Sequence, residues 1–142
     1  MIRAFETRDL EQVMRLWLEG NLQAHGFLGE AYWRENVPAV EAAIGEAEVY
    51  VYEAEGRLLG FIGLKDSYVA GIFVDRQARS GGIGGRLLEF AKERKDSLSL
   101  HVYAENSRAV RFYLREGFKR RKTQRSQGRE EYEMVWERSR GR

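Results

Sequence analysis

IFVDRQARSGGIGGRLL, residues 72–88, is the stretch that decides the fold of this chain. It begins with the apolar residues of a buried strand and ends with the apolar spacing of a helix, and four glycines lie between the two. The first amides of a helix lack partners inside the helix, and the helix dipole is positive at that end. Glycines at this point let main-chain N–H groups approach an anion closely. The stretch therefore predicts a strand, a phosphate-binding turn and a helix in succession.

Two common nucleotide motifs do not fit these glycines. A P-loop requires Lys and then Ser or Thr after its last glycine, whereas Gly84 is followed by Gly85 and Arg86. A dinucleotide fingerprint that begins at Gly82 requires a third glycine where the chain has Leu87. A tight turn without a ligand is the alternative interpretation of the cluster.

The pattern on either side of this stretch predicts an α/β fold, more closely an α+β arrangement with a mixed sheet. Turns are expected at Glu55-Gly56, Asp66-Ser67 and Gln127-Gly128, because such residues favour tight hairpins. About seven strands and four helices are expected, with helices on both faces of the sheet. The strands are predicted at 2–5, 48–53, 57–64, 68–74, 98–103, 118–124 and 131–136, and the helices from about 10 to 18, 30 to 45, 86 to 92 and 106 to 116.

Length and composition indicate one domain over residues 1–142. The chain is 43% hydrophobic and 32% charged, as is typical of globular proteins. It has no cysteine, which excludes disulfides, thiolate metal sites and a cysteine nucleophile. The first residues do not resemble a signal peptide, and no run approaches the roughly 20 apolar residues of a membrane span. We therefore expect a cytoplasmic protein with no membrane partner and no metal.

Charge is divided unevenly along the chain. Residues 1–105 hold 12 Lys and Arg against 17 Asp and Glu, and residues 106–142 hold 12 against 5. The basic end is either a solvated face or a rim that attracts an anionic ligand. It contains no recognisable nucleic-acid motif, so nucleic acid is not the expected partner.

Two blocks together resemble the GNAT N-acetyltransferase superfamily. Arg79-x-x-Gly82-x-Gly84 is similar to its Arg/Gln-x-x-Gly-x-Gly/Ala motif. The segment NSRAVRFYLREGF, residues 106–118, is similar to its Asn-x-x-Ala-x-x-x-Tyr-x-x-x-Gly-Phe pattern. The resemblance spans nearly the whole chain. Its front end, around Trp17, Phe27 and Trp33, resembles small bacterial members of the superfamily, some of which act on protein lysines.

The resemblance implies that acetyl-CoA is the cosubstrate and that an amine, on a protein or a small molecule, is the acceptor. It implies that the main chain of Phe73 and Val74 bonds the pantetheine arm as a pseudo-strand, with a backbone N–H near Val74 stabilising the oxyanion. Asn106 is expected to contact the arm. The implied cofactor-binding residues are Ile72, Phe73, Val74, Arg79, Ser80, Gly81, Gly82, Ile83, Gly84, Gly85, Asn106 and Tyr113.

Three side chains are candidates for catalysis. Tyr113 is expected to protonate the departing thiolate, because a phenol is still protonated at neutral pH; packing beside Phe112 is the alternative. Many relatives have Glu near the position of His101, so this histidine is either the base that deprotonates the amine or a satisfied buried histidine. His25 contacts the substrate, relays a proton or holds its loop.

Other residues remain open. Glu48 and Glu53 are further candidate bases, or solvated strand residues. Trp17, Phe27, Tyr32 and Trp33 form either core or an acceptor pocket wall. A basic run ends the chain, and no residue of it can be assigned to the adenosine 3′-phosphate: Arg120, Arg121, Lys122 and Arg125. The alternative to an enzyme is a catalytically weak CoA-binding regulatory module. A monomer or a homodimer is expected.

Overall fold

The computed structural model describes residues 1–24 and 26–139, and the side chains of Phe27 and Ser80 lie outside the description. It contains the strands β1 (Ile2–Ala4), β2 (Glu48–Ala54), β3 (Arg57–Lys65), β4 (Tyr68–Val74), β5 (Ser97–Tyr103), β6 (Lys119–Ser126) and β7 (Arg129–Glu137). Its helices are α1 (Leu10–Ala24), α2 (Glu30–Glu35), α3 (Val37–Glu46), α4 (Ile83–Lys92) and α5 (Ser107–Arg115). Short 3₁₀ segments lie at Thr7–Asp9, Gly26–Leu28 and Arg76–Gly81.

One mixed sheet joins all the described strands, in the order β1-β2-β3-β4-β5-β7-β6. The neighbouring strands are antiparallel except β4 and β5, which are parallel. A parallel pair requires a crossover, and the crossover here is the glycine turn followed by α4. The α/β class, the mixed sheet and the expected strands are thus confirmed.

Two hydrophobic clusters cover opposite faces of the sheet. One lies under α4 and α5 and includes Ile62, Leu87 and Leu100. The other lies under α1 and α3 and includes Val13 and Val51. Helices therefore pack on both faces, as the pattern predicted.

The helix predicted over residues 30–45 is interrupted at Asn36. Asn36 ends α2 and is the N-cap residue of α3, and its side-chain amide donates to the carbonyl of Tyr32 at 2.7 Å. Pro38 lies in the first turn of α3, where its missing N–H has no cost, whereas inside a continuous helix it would remove a bond and crowd the preceding turn. The proline thus divides one predicted helix into two.

The hairpin predictions at both ends of the sheet hold. Glu55 and Gly56 have φ of 53° and 77°, and Gln127 and Gly128 have φ of 54° and 72°. Positive φ at two central residues matches the twist of the strands that the turn joins. Within residues 1–24 and 26–139, no helix is both long and apolar enough to cross a membrane.

Candidate active site

The strands β4 and β5 diverge to form a wedge-shaped opening in the sheet. Their described pairing is confined to Tyr68 and Ser99, and the amide of Ser99 donates to the carbonyl of Ser67 at 2.9 Å. Tyr68 begins β4, so nearly all of that strand runs away from β5. The narrow end of the wedge is therefore at Tyr68, and its wide end faces the glycine turn.

The main-chain groups of Ile72 and Val74 point into this wedge. The amide of Asp75 donates to the carbonyl of Leu59 on β3 at 2.8 Å, and Phe73 pairs with Phe61 on the same strand. In an antiparallel pair, residues alternate between bonding the neighbour and pointing away from it. Ile72 and Val74 therefore present N–H and C=O groups toward the opening, whereas the expected main-chain role of Phe73 does not fit, since its groups face β3.

The glycine turn is built by a buried carboxylate. Asp75 is 7% exposed, and its Oδ1 accepts from the amide of Gln77 at 2.9 Å, which starts the 3₁₀ segment. Gly82 follows with φ of 76°, a left-handed conformation that glycine adopts without strain. A Cβ added at Gly81 or Gly82 would meet no described atom within 4 Å, so the turn is open on this side.

The amides at the start of α4 are available to a ligand. The first bond that closes a turn of α4 runs from the amide of Arg86 to the carbonyl of Gly82, at 3.1 Å. The amides of Ile83, Gly84 and Gly85 precede it and belong to the unpaired first turn. Together with the dipole of α4, they form a cradle suited to an anion.

Helix α5 closes onto this turn from the other side. Asn106 is its N-cap residue, and Oδ1 accepts from the amide of Ala109 at 3.3 Å. A Cβ on Gly84 would lie 3.3 Å from Cζ of Phe112, so glycine allows the two helices to approach closely. The cap uses Oδ1 of Asn106, and the side-chain nitrogen is its remaining donor.

Tyr113 is partly buried between Phe112 and Phe118, at ring-centre distances of 5.2 and 5.6 Å. Among the described residues, its hydroxyl has no hydrogen-bond partner. Burial, and then the nearby phenol of Tyr68, raise the pKa of Tyr113 well above its ordinary value. The side chain therefore offers a protonated hydroxyl over the whole physiological range, and it packs beside Phe112 as well.

Three arginines converge on the turn. Burial lowers the pKa of Arg79, and the charges of Arg108 and Arg76 lower it further. Arg79 also donates to the side chain of Gln23 on α1. Within the described part of the chain, Arg76 and Arg108 form no ion pair with a carboxylate, so a bound anion would relieve their mutual repulsion.

Sequence analysis missed Arg76 and Arg108. They lie 32 positions apart, and only the folding of α5 against the turn brings them together. One feature of the sequence could have indicated them. Each arginine lies two residues after a predicted cofactor-binding residue, Arg76 after Val74 and Arg108 after Asn106.

The basic run predicted near the end of the chain lies on the edge strand β6 and has local partners. Arg121 forms an ion pair with Glu133 at 2.9 Å, and Arg125 donates to the carbonyl of Gly128 at 2.7 Å. The guanidinium of Arg120 lies 4.4 Å from the ring centre of Tyr132. These three arginines therefore fit the interpretation of the basic end as a solvated face.

His101 is exposed on β5, so its interpretation as a buried histidine is wrong. The period of the strand explains the error: Leu100 and Val102 point into the core, and the residue between them points to the other face. Its Nδ1 lies 2.8 Å from the hydroxyl of Tyr68 across the narrow end of the wedge. The third catalytic candidate, His25, lies outside the described residues.

Two carboxylates on β7 lie near the Tyr68–His101 pair. Burial raises the pKa of Tyr68, and the charges of Glu131 and Glu133 raise it further. Glu133 is opposite His101 in the β5–β7 ladder, and Glu131 is opposite Tyr103. The other two glutamates considered above are engaged elsewhere, Glu48 with Lys95 at 2.8 Å and Glu53 with Arg3 at 2.9 Å.

The aromatic residues of the front half divide between core and opening. Trp17 is 8% exposed, and its ring centre lies 5.8 Å from that of Trp33. The hydroxyl of Tyr32 accepts from the side chain of Gln127 at 3.2 Å, which connects α2 to the β6–β7 turn. The core interpretation thus fits Trp17 and Trp33, and Tyr32 lies at the surface between two elements.

Two grooves border the turn. One has a volume of about 450 Å³ and runs between α1 and the end of β4, past Gly20, Val74 and Arg79. The other has a volume of about 710 Å³ and follows the opposite side of α4, and its walls include Glu89, Glu93 and Glu116. Two arginine and two carboxylate side chains line the first groove, whereas one arginine and three carboxylate side chains line the second, so the first is the better place for an anionic ligand.

The match to known proteins agrees with this geometry. The family model described as "Acetyltransferase (GNAT) domain" matches residues 19–137. The Escherichia coli protein named peptidyl-lysine N-acetyltransferase YiaC is 36% identical over 120 residues, which cover 83% of this chain and 82% of that protein.

Two solved structures share the fold. The apo form of YjaB from Escherichia coli has a TM-score of 0.84 at 25% identity and covers 98% of both chains. The PaiA N-acetyltransferase from Thermoplasma acidophilum, solved in complex with coenzyme A, has a TM-score of 0.80 at 19% identity over 96% of this chain and 98% of that one.

Proposed function

Because this chain belongs to the GNAT acetyltransferase family, and is therefore an acetyl-CoA-dependent N-acetyltransferase, we propose that its acceptor is the ε-amine of lysine side chains in proteins. The relative that is 36% identical is named for that activity. The alternative, a weakly active CoA-binding regulatory module, is not favoured by relatives named as enzymes.

One observation carries the choice of a cationic acceptor. The charges of Glu131 and Glu133 raise the pKa of Tyr68, so negative charge acts at the narrow end of the wedge, where Tyr68 lies. The turn at the wide end is positive, because Arg76, Arg79 and Arg108 gather there. An anionic coenzyme and a cationic lysine are thus drawn to opposite ends of one opening.

The chain supplies the parts that the reaction requires. The amides of residues 83–85, with the three arginines, would hold the diphosphate of the coenzyme. Ile72 and Val74 would bond its pantetheine arm, and the Val74 amide would stabilise the oxyanion. Tyr113 would then donate its proton to the departing thiolate, since its raised pKa keeps the phenol protonated.

Acetylation of defined amines tests the acceptor. The purified protein is incubated with acetyl-CoA and a peptide that has a blocked N-terminus and one lysine, and thiol release and acetylated peptide are measured together. A second peptide with a free N-terminus and no lysine, and spermidine as a small amine, complete the panel. The proposal requires the highest kcat/KM for the lysine peptide; a higher value for either of the others would assign a different acceptor.

Tyr113→Phe tests the acid. We expect turnover to fall by about 100-fold, the usual contribution of a positioned general acid, with affinity for acetyl-CoA unchanged by calorimetry. Tyr50→Phe is the matched control, because the Tyr50 hydroxyl bonds Glu48 at 2.5 Å, away from the wedge. Equal turnover of the Tyr113→Phe variant and the parent would remove Tyr113 from the mechanism.

The finer sequence-based expectations stay predictions. They are a single domain over residues 1–142, cytoplasmic location, a monomer or homodimer, and action without metal or nucleic acid.

A further inference from the structure

We propose that Tyr68 and His101 form a proton outlet, through which the acceptor ammonium loses its proton to solvent before it attacks the thioester. This inference rests on the proposed acetyl transfer and adds a second tyrosine to it. It also changes the expected role of His101 from a base that contacts the amine to the outer member of a pair.

The position of Tyr68 is the first reason. Tyr68 pairs with Ser99 at the point where β4 and β5 separate, so it stands at the narrow end of the wedge. His101 is two residues beyond Ser99 on β5 and therefore shares its face of the sheet. Tyr113 packs against the core on the other face, yet its pKa responds to Tyr68. Tyr68 therefore lies near enough to Tyr113 to affect its pKa, and it lies within hydrogen-bond distance of His101.

The second reason is the gradient of exposure along the pair. Tyr68 is partly buried and His101 is exposed, and 2.8 Å separates the hydroxyl from Nδ1. A proton that reaches the imidazole is therefore already at the surface. An imidazole is also a common proton carrier in enzymes.

One nearby carboxylate, that of Glu131, can stabilise a transient positive charge on the pair. The groups that face it are Lys65 opposite Tyr68 on β3, Tyr103 on β5, Glu131 and Glu133 on β7, and Arg121 and Lys122 on β6. Arg121 forms its ion pair with Glu133, whereas Glu131 accepts from the neutral side chain of Gln124 at 2.9 Å. The carboxylate of Glu131 thus remains to stabilise an imidazolium or an incoming ammonium.

The step balances as follows. The hydroxyl oxygen of Tyr68 accepts a proton from the ammonium, and the original hydroxyl proton passes to Nδ1 of His101. The products are a neutral amine, an unchanged phenol and an imidazolium. The imidazolium then releases a proton to water. No phenolate forms, so the raised pKa of Tyr68 does not impede the transfer.

Tyr68→Phe tests the inner member. With the lysine peptide as acceptor, we expect kcat/KM at pH 7 to fall by about 10- to 100-fold, within the range of general base catalysis. The deficit should shrink as the pH rises toward 10, because solution then supplies the neutral amine of a lysine whose ordinary pKa is about 10.4. A variant that had only lost packing would keep the same deficit at every pH, and that result would overturn the proposal.

His101→Gln tests the outer member. Glutamine can hydrogen-bond Tyr68 but cannot take up a proton, so the rate at pH 7 should fall and the acid limb of the pH profile should move toward the ordinary pKa of the lysine amine, about 10.4. Tyr50→Phe serves again as the control. In the resting protein, the NMR titration of the His101 ring should move when Tyr68 is changed to Phe and stay in place in the control; an unmoved titration would contradict the contact itself.

The outcomes separate this inference from the proposed function. A parent protein that does not acetylate the lysine peptide contradicts the proposed acceptor. A parent that acetylates it, with Tyr68→Phe and His101→Gln variants of unchanged pH profile, contradicts only the proton outlet.

Discussion

At the scale of single residues, the site depends on charges whose partners a ligand would supply. Arg76 and Arg108 contribute repulsion to Arg79, and they gather where α5 meets the glycine turn. Such an arrangement costs stability in the free protein. It is retained here at the point where a diphosphate would be bound.

Arg108→Gln measures this cluster. Glutamine keeps a polar side chain, although a shorter one, and removes the charge. We expect affinity for CoA to fall about 10-fold, corresponding to about 1.4 kcal/mol, with a weaker dependence on salt because one fewer cation takes part.

Arg120→Gln is the matched control, because Arg120 lies against Tyr132 on the edge strand. Calorimetry at two salt concentrations measures both variants. If Arg120→Gln weakened binding as much as Arg108→Gln, the phosphate-binding residues would have to be sought on β6.

At the scale of elements, the glycine turn combines two requirements at neighbouring positions. Gly82 has a left-handed backbone and open space beside it, whereas Gly84 has an ordinary backbone and a close neighbour in Phe112. A side chain would therefore fit at Gly82 only with backbone strain, and it would fit at Gly84 only if the ring of Phe112 moved by a few tenths of an ångström.

Gly82→Glu should abolish CoA binding, because its carboxylate would enter the anion cradle. Gly82→Ala separates the two causes: it introduces strain of about 1 kcal/mol without charge and should weaken binding only slightly. Calorimetric titration with CoA measures both, after thermal unfolding has shown that each variant is folded. Undiminished binding by Gly82→Glu would place the cradle elsewhere.

Element boundaries were predictable where local chemistry determines them. Gln127-Gly128 and Glu55-Gly56 form hairpins for reasons contained in two residues. The break at Asn36 was not predicted, because the apolar spacing continues through it and the signal for a new helix, Pro38, comes two positions later. The approach of Arg76 to Arg108 could not be predicted, since it depends on how α5 packs against the glycine turn.

At the scale of the whole molecule, the strand order shows what a chain pattern alone does not determine. β7 inserts between β5 and β6, and no local signal specifies this order. The family resemblance supplied the site, because it relates two distant blocks of sequence to one opening. The contact of Tyr68 with His101 across the narrow end of the wedge emerged only from the structure.

Ion pairs connect the first strand, β1, to the 3₁₀ segment Thr7–Asp9 and to β2. Arg3 on β1 forms ion pairs with Asp9, which is 3% exposed, and with Glu53 on β2. Hydrogen bonding from Arg3 lowers the pKa of Asp9, and also that of Glu53. A carboxylate whose pKa is lowered in the folded state adds stability above its unfolded value of about 3.9, and this contribution is lost as the pH falls through the folded value.

Asp9→Asn should therefore lower the free energy of unfolding by about 2 kcal/mol at pH 7, and the difference from the parent should narrow below about pH 4. Urea unfolding at pH 7, 5 and 3 measures it. Asp66→Asn is the control, because Asp66 is exposed in a turn. A difference that stayed constant with pH would show that Asp9 acts through shape rather than charge.

The divergence of β4 and β5 affects the stability of the protein as well as its chemistry. The sheet lacks strand pairing between most of β4 and β5. A coenzyme bound between these strands would supply hydrogen bonds that the free sheet does not have. Because such a ligand binds the folded chain and not the unfolded one, a higher ligand concentration raises the fraction of molecules that are folded. Thermal unfolding of the enzyme should therefore shift to a higher temperature as acetyl-CoA is added.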